Sequence, residues 1–150
     1  MTDQHTHLSS GATDGGRDDG LLRLALRLDA VASGALGLLG AVAAAVLEGL
    51  LGVPATVLLP LGILLVVYAA AVWLAGARPP AHRFAVRTIV GLNALWVVAS
   101  LAAVVPGLLP LTPLGVAFVL LQAGAVAIFA ELQIIGLRRS GQAPAQLARA

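Results

Sequence analysis

Apolar residues run along this chain in four long blocks, each bounded by proline, glycine or charge, and none alternates with the period of two of a half-buried strand. The first block covers residues 22–47 and ends at Glu48 and Gly49. The second, 55–76, follows the short turn EGLLGVP, where Pro54 is placed to open a helix. The third, 88–105, reads TIVGLNALWVVASLAAVV and runs into PGLLPLTP, a rigid uncharged turn; the fourth covers 114–137. At ~1.5 Å per residue, each block suits a crossing of a hydrocarbon layer ~30 Å thick. The pattern predicts an all-α membrane protein, with four transmembrane helices in an up-down-up-down antiparallel bundle. Pro60 should kink the second helix, Tyr68 is placed inside it, and Trp73 is placed to mark an interface.

The flanks differ from the blocks. Residues 1–20, MTDQHTHLSSGATDGGRDDG, lack the apolar groups that offset the entropy of ordering, and read as a disordered cytoplasmic tail. They do not read as a secretory signal, because they are acidic and the apolar run that follows is longer than a signal core. Residues 140–150 read as a short cytoplasmic C-terminal tail.

Composition agrees: 59% of the 150 residues are hydrophobic and only 11% charged, against about a quarter charged in soluble domains. The charge adds orientation. All nine basic residues are arginines: Arg17, Arg23 and Arg27 precede the first helix, Arg78, Arg83 and Arg87 fall between the second and third, and Arg138, Arg139 and Arg149 follow the fourth. Every arginine thus falls on one side, the positive-inside pattern, which predicts a multi-pass plasma-membrane protein with both termini cytoplasmic. Short arginine clusters beside apolar runs do not make a nucleic-acid face. The absence of cysteine excludes disulfide and thiolate chemistry, and alanine, glycine and arginine without lysine suggest a bacterial genome of high GC content.

Two acidic residues stand out. Asp29 lies in the first helix just after Arg27, and an ionisable group in a membrane span is a functional hypothesis by default. Its nearness to the boundary favours a plainer reading, a salt bridge to Arg83, Arg87, Arg138 or Arg139. Glu131 in FAELQIIGLRR lies at similar depth on the fourth helix. Together, Arg23, Arg27, Asp29, Arg83, Arg87, Glu131, Arg138 and Arg139 read as a cytoplasmic ionic collar. Below Asp29, Ser33, Gly37, Gly40 and Ala44 form a small-residue stripe that lets another helix approach closely. On the fourth helix Gln122, Val126, Phe129 and Gln133 share one face while Glu131 projects the other way, a hint of oligomerisation. Asn93, Trp96 and Ser100 share a face of the third helix at i, i+3 and i+7, and with Gln122 they make a candidate intramembrane polar pocket. Interhelical hydrogen bonding is the simpler use of such residues.

Histidines fall at positions 5, 7 and 82, outside the apolar blocks, so no transmembrane haem or metal site is expected. No serine has a visible base, and GALGLLG lacks the strand that a nucleotide fingerprint requires. We expect neither an enzyme nor a bound cofactor.

The phrases LRLDAVASGALGLLG, GLNALWVVASL and FVLLQAGAVAIFAELQIIGLRR resemble a family of small uncharacterised four-helix integral membrane proteins from actinobacteria, over about residues 21–139. The resemblance implies the architecture and brings no reaction, ligand or catalytic residue. Function is therefore expected to be that of a non-enzymatic accessory or assembly subunit packing through small-residue helix faces. Its expected partners are the lipid bilayer and either a second copy of the chain or another membrane protein. The alternative is a small oligomeric transporter using Asp29 or Glu131 as a proton or cation coupling site. Small multidrug transporters also carry an acidic residue in a first short helix, but there it is a glutamate, and here two arginines that would repel cations precede Asp29.

Overall fold

The computed structural model describes residues 12–77, 82–105 and 108–139, with side chains from residue 20 onward. The described residues form five helices and no strand: α1 (Ala12–Val42), α2 (Ala44–Leu51), α3 (Ala55–Ala77), α4 (Arg83–Ala103) and α5 (Pro113–Arg139). Four of them, through Gly20–Val42, Ala55–Ala77, Arg83–Ala103 and Pro113–Arg139, are long and apolar enough to cross a membrane. The chain is an all-helical protein of multi-pass membrane character.

The helix ends differ from the sequence expectations for local reasons. α1 begins at Ala12 rather than near residue 22, so residues 12–20 belong to a helix and not to a disordered tail; adding turns to a nucleated helix costs little. Residues 1–11 and 140–150 lie outside the described residues. The first crossing also breaks at Ala43 (φ −108°, ψ 21°) and resumes as α2. α2 passes through Glu48 and Gly49 and stops at Gly52, whose φ of 76° belongs to the left-handed region that glycine enters without a Cβ penalty. The Gly52 N–H donates to the Glu48 carbonyl at 2.9 Å. Glu48 has a further use, its Oε2 accepting the Ala55 N–H at 3.2 Å and so satisfying an orphan donor in the first turn of α3.

α4 begins at Arg83, which moves Arg83 and Arg87 from an expected loop onto a helix. α5 opens on a Thr-Pro pair: the Thr112 hydroxyl accepts the Gly115 N–H at 3.0 Å, and Pro113 occupies a position where no N–H is needed. Thr112 also clips this start to the end of α2, donating through Oγ1 to the Leu50 carbonyl at 2.7 Å and through its backbone N–H to the Leu51 carbonyl at 3.0 Å.

α1 packs along α3 and α5, and α4 along α5, whereas α3 and α4 barely meet. Gly34 faces Ala69, Gly40 faces Leu58 and Arg23 reaches Gly76, so α1 and α3 run in opposite directions. Their backbones touch where Gly37 meets Gly62: a Cβ on Gly62 would lie 2.6 Å from the Gly37 carbonyl oxygen. Gly37 and Gly40, expected to receive another helix, are thus covered by α3 of the same chain. The buried core, Leu22, Leu26, Ala30, Val72, Val86 and Ile89, gathers toward the arginine-bearing end. Leu24, Val31, Leu38, Leu64, Leu95 and Leu121 lie open on the outside, as a lipid-facing surface requires.

Candidate functional site

Asp29 is fully buried at the meeting of four helices. Its Oδ1 accepts from Ser33 Oγ of α1 at 3.1 Å. Its Oδ2 accepts from Asn93 Nδ2 of α4 at 3.0 Å and Gln133 Nε2 of α5 at 2.8 Å, and lies 3.3 Å from the Tyr68 hydroxyl of α3. Tyr68 has one proton, and its shorter partner is Asn93 Oδ1 at 2.8 Å; Asn93 Nδ2 also reaches Gln133 Oε1 at 3.3 Å. A carboxylate only accepts, and the donors around it match that capacity. Among the described residues, no buried side-chain nitrogen or oxygen lacks a hydrogen-bond partner.

The helices place these groups by phase. On α1 the buried positions Leu22, Ala25, Leu26, Asp29 and Ala30 form one stripe, with Asp29 in register with the core. Val86, Ile89, Asn93 and Ser100 repeat the pattern on α4, as do Ala123, Ala130, Gln133 and Gly136 on α5. This phase was readable in the sequence. The sequence puts Gln133 on the face of the fourth block opposite Glu131 and Tyr68 within the second, but nothing in it joins either residue to Asp29.

The ionic collar is therefore corrected. Asp29 pairs with none of Arg83, Arg87, Arg138 or Arg139, because its direction, and not its depth, decides its surroundings. Neutral amide and hydroxyl donors satisfy it without a guanidinium having to be desolvated as well. Glu131 projects outward and is exposed. The arginines with described side chains, Arg23, Arg27, Arg83, Arg87, Arg138 and Arg139, do gather at one end of the bundle. Arg23 Nε donates to the Gly76 carbonyl at 3.2 Å, in the last turn of α3, where carbonyls are left open. Arg27 is exposed, its guanidinium carbon 5.8 Å from the centroid of the Trp73 ring. Arg83, Arg87 and Arg138 border a cleft between α4 and α5, and Arg139 is exposed in the last turn of α5.

The expected polar pocket is divided. Trp96 Nε1 donates to Gln122 Oε1 at 2.8 Å, and Gln122 Nε2 donates to Ser100 Oγ at 2.9 Å, a chain between α4 and α5. Asn93 belongs instead to the Asp29 cluster. Both groups border open space. A cavity of about 300 Å³ touches Ser33, Tyr68, Asn93, Trp96 and Gln122. A second, of about 220 Å³, continues past Ser100 toward Leu51 and Val57. The two share Leu36, Leu65, Trp96, Ala99 and Gln122, and so form one apolar groove along the seam where α3 and α4 part.

Chemically, the groove offers apolar walls and a few fixed amide, hydroxyl and indole groups. No three His, Cys, Asp or Glu side chains gather among the described residues. His82 lies exposed just before α4, and His5 and His7 fall outside the described residues. Comparison with family models, with curated proteins and with solved structures gave no match.

Proposed function

We propose that this chain is a non-enzymatic protein of a bacterial plasma membrane that holds a single-chain amphiphile, taken sideways from the bilayer, in the groove between α3 and α4. One observation carries the reading: a narrow apolar groove flanked by the Trp96–Gln122–Ser100 chain, at a seam the protein itself leaves unpacked. Pockets with mostly apolar walls and few polar groups are the usual form of small-molecule sites. From Val57 to Tyr68 the groove follows α3 for roughly 17 Å at ~1.5 Å per residue, about the length of an extended alkyl chain. Cavities of about 300 and 220 Å³ with apolar walls suit an alkyl or isoprenoid chain. With the arginine-bearing end in the cytoplasm, both termini are cytoplasmic. As an accessory or assembly subunit, the protein would present this seam, with its occupant, to a partner membrane protein or a second copy.

Trp73 and Trp96 are the two tryptophans of the chain, so Trp73→Phe leaves Trp96 as a reporter beside the groove. In phosphatidylcholine vesicles, a brominated long-chain alcohol should quench Trp96 with saturation, and Ala99→Phe should abolish the saturable part. Quenching that rises linearly and is the same in both proteins refutes the reading.

A coupling role for Asp29 keeps one point in its favour: Tyr68 and Asn93 both touch Asp29 and border the groove, so an occupant would be felt at the carboxylate. Transport predicts proton-driven flux of a lipophilic amine in proteoliposomes, lost in Asp29→Asn. Absence of flux from the parent protein removes transport and leaves the binding proposal standing.

A further inference from the structure

The arginines at the charged end divide into two groups. Arg23 is held by the Gly76 carbonyl and Arg27 lies near the Trp73 ring, so each has a partner within the protein. Arg83, Arg87 and Arg138 converge instead on a cleft of about 270 Å³ between the start of α4 and the end of α5, with Val90, Ile134 and Leu137 as its apolar lining. No carboxylate of the described residues pairs with any of these three arginines. Three guanidinium groups bordering one space repel each other unless an anion is present, and guanidinium forks match phosphate oxygens. Arg83 and Arg87 also stand in the first turns of α4, whose dipole already puts partial positive charge there. Among the described residues, no carboxylate offsets this concentration of charge.

The position narrows the choice of anion. Arg83 opens α4 and Arg138 lies in the last turn of α5, so the cleft sits where two membrane-spanning helices leave the apolar layer. Its apolar residues lie on the membrane side of the arginines along both helices, and Phe84, next to Arg83 in the chain, is 76% exposed, as suits an interfacial ring. A free phosphate ion would use the guanidinium groups and gain nothing from Val90, Ile134 and Leu137. A lipid uses both.

We propose that the cleft between the start of α4 and the end of α5 binds the phosphate headgroup of an anionic membrane lipid, with Arg83, Arg87 and Arg138 on the phosphate and the apolar residues beside the first part of the lipid tails. Basic recesses between transmembrane helices on the cytoplasmic side suit such headgroups. This site is distinct from the α3–α4 groove, and the two proposals stand or fall separately.

Native mass spectrometry of the full chain in mild detergent tests it, with dioleoyl phosphatidylglycerol, dioleoyl phosphatidylcholine and inorganic phosphate as probes. We expect one phosphatidylglycerol retained at least tenfold more strongly than phosphatidylcholine, with millimolar phosphate unable to displace it. The double variant Arg83→Gln/Arg138→Gln should lose that preference about tenfold, while Arg23→Gln/Arg27→Gln, which removes the same charge outside the cleft, should keep it. Equal losses in the two variants would mean a diffuse field and overturn the site. Equal retention of the two lipids overturns it as well, and displacement by phosphate assigns the cleft to a free anion and overturns the lipid. If the double variant does not fold, Arg83→Gln alone decides, with at least a threefold loss expected and no loss counting against the proposal.

Discussion

The two halves of this bundle solve opposite problems with similar residues. Toward the arginines, all four crossings close on Asp29, the apolar core is dense and every buried polar side-chain atom described there has a partner. Toward the other end α3 and α4 part, and the polar chain Trp96–Gln122–Ser100 ties only α4 to α5 beside an open groove. Polar groups in the first half join helices that would otherwise gain little from association, since lipid is as apolar as their side chains. In the second half they line a space. The difference lies in whether a third and fourth helix arrive to use them.

Removing the centre of the closed half should have the largest effect. Asp29→Leu leaves Tyr68, Asn93 and Gln133 facing an alkyl group; interhelical hydrogen bonds are worth ~0.6–2 kcal/mol each, and unsatisfied donors add to the loss, so we expect destabilisation on the order of 3 kcal/mol. Denaturation in detergent, followed by circular dichroism, measures it. Asp29→Asn keeps the shape and one acceptor oxygen and should lose less than half as much. Equal loss in the two variants would mean that the single acceptor oxygen Asn keeps contributes nothing, and that both carboxylate oxygens are needed to hold this half together.

The outline of the bundle was legible from the sequence, and the hub was not. Long apolar blocks report crossings through length alone, and the arginines mark one end because charge is excluded from lipid. Asp29 was judged by its distance from Arg27, but depth fixes only how far along the axis a group lies. Its place at multiples of a helical turn from Leu22, Ala25 and Leu26 aimed it at the core, and which amides it would meet depended on three other helices. Asn93 and Ser100 illustrate the converse. They share a face of α4, yet seven residues separate them by ~10 Å along the axis, so one joins Gln133 and the other Gln122. The stop at Gly52 in place of Gly49 turned on a left-handed conformation that composition does not reveal.

The join between the halves runs through Gly37 and Gly62, and its disruption ranks second. Gly62→Val places a branched side chain against the backbone of Gly37 and Gly40, and overpacking of this kind costs ~1–3 kcal/mol. The unfolding midpoint should fall, and α1 and α3 should separate enough to bring Trp73, near Arg27, into a different emission environment. An unchanged midpoint would show that the helices are free to slide apart at no expense.

In the open half, the polar chain should matter less. Gln122→Leu removes the acceptor of the Trp96 N–H and the donor to Ser100 together, and about 1 kcal/mol is expected from two interhelical bonds beside an accessible groove. Trp96 emission should shift as its indole loses a partner. A loss as large as that of Asp29→Leu would erase the distinction between the halves.

The smallest effect is the sharpest test of what is hollow and what is filled. Ala99 borders both cavities and lies open to the seam, whereas Ala30 is 4% exposed within the closed half. Ala99→Phe adds a ring where there is unoccupied space, so stability should change by less than ~0.5 kcal/mol, as for a surface substitution. Ala30→Phe adds the same ring to a filled core and should cost several times more, since small-to-large changes in packed interiors typically cost ~1–3 kcal/mol. The two unfolding curves, compared side by side, measure local free volume without any ligand. If Ala99→Phe is as damaging as Ala30→Phe, the seam closes in solution and no amphiphile enters it; if both are mild, the closed half is less tightly packed than its hydrogen bonds imply.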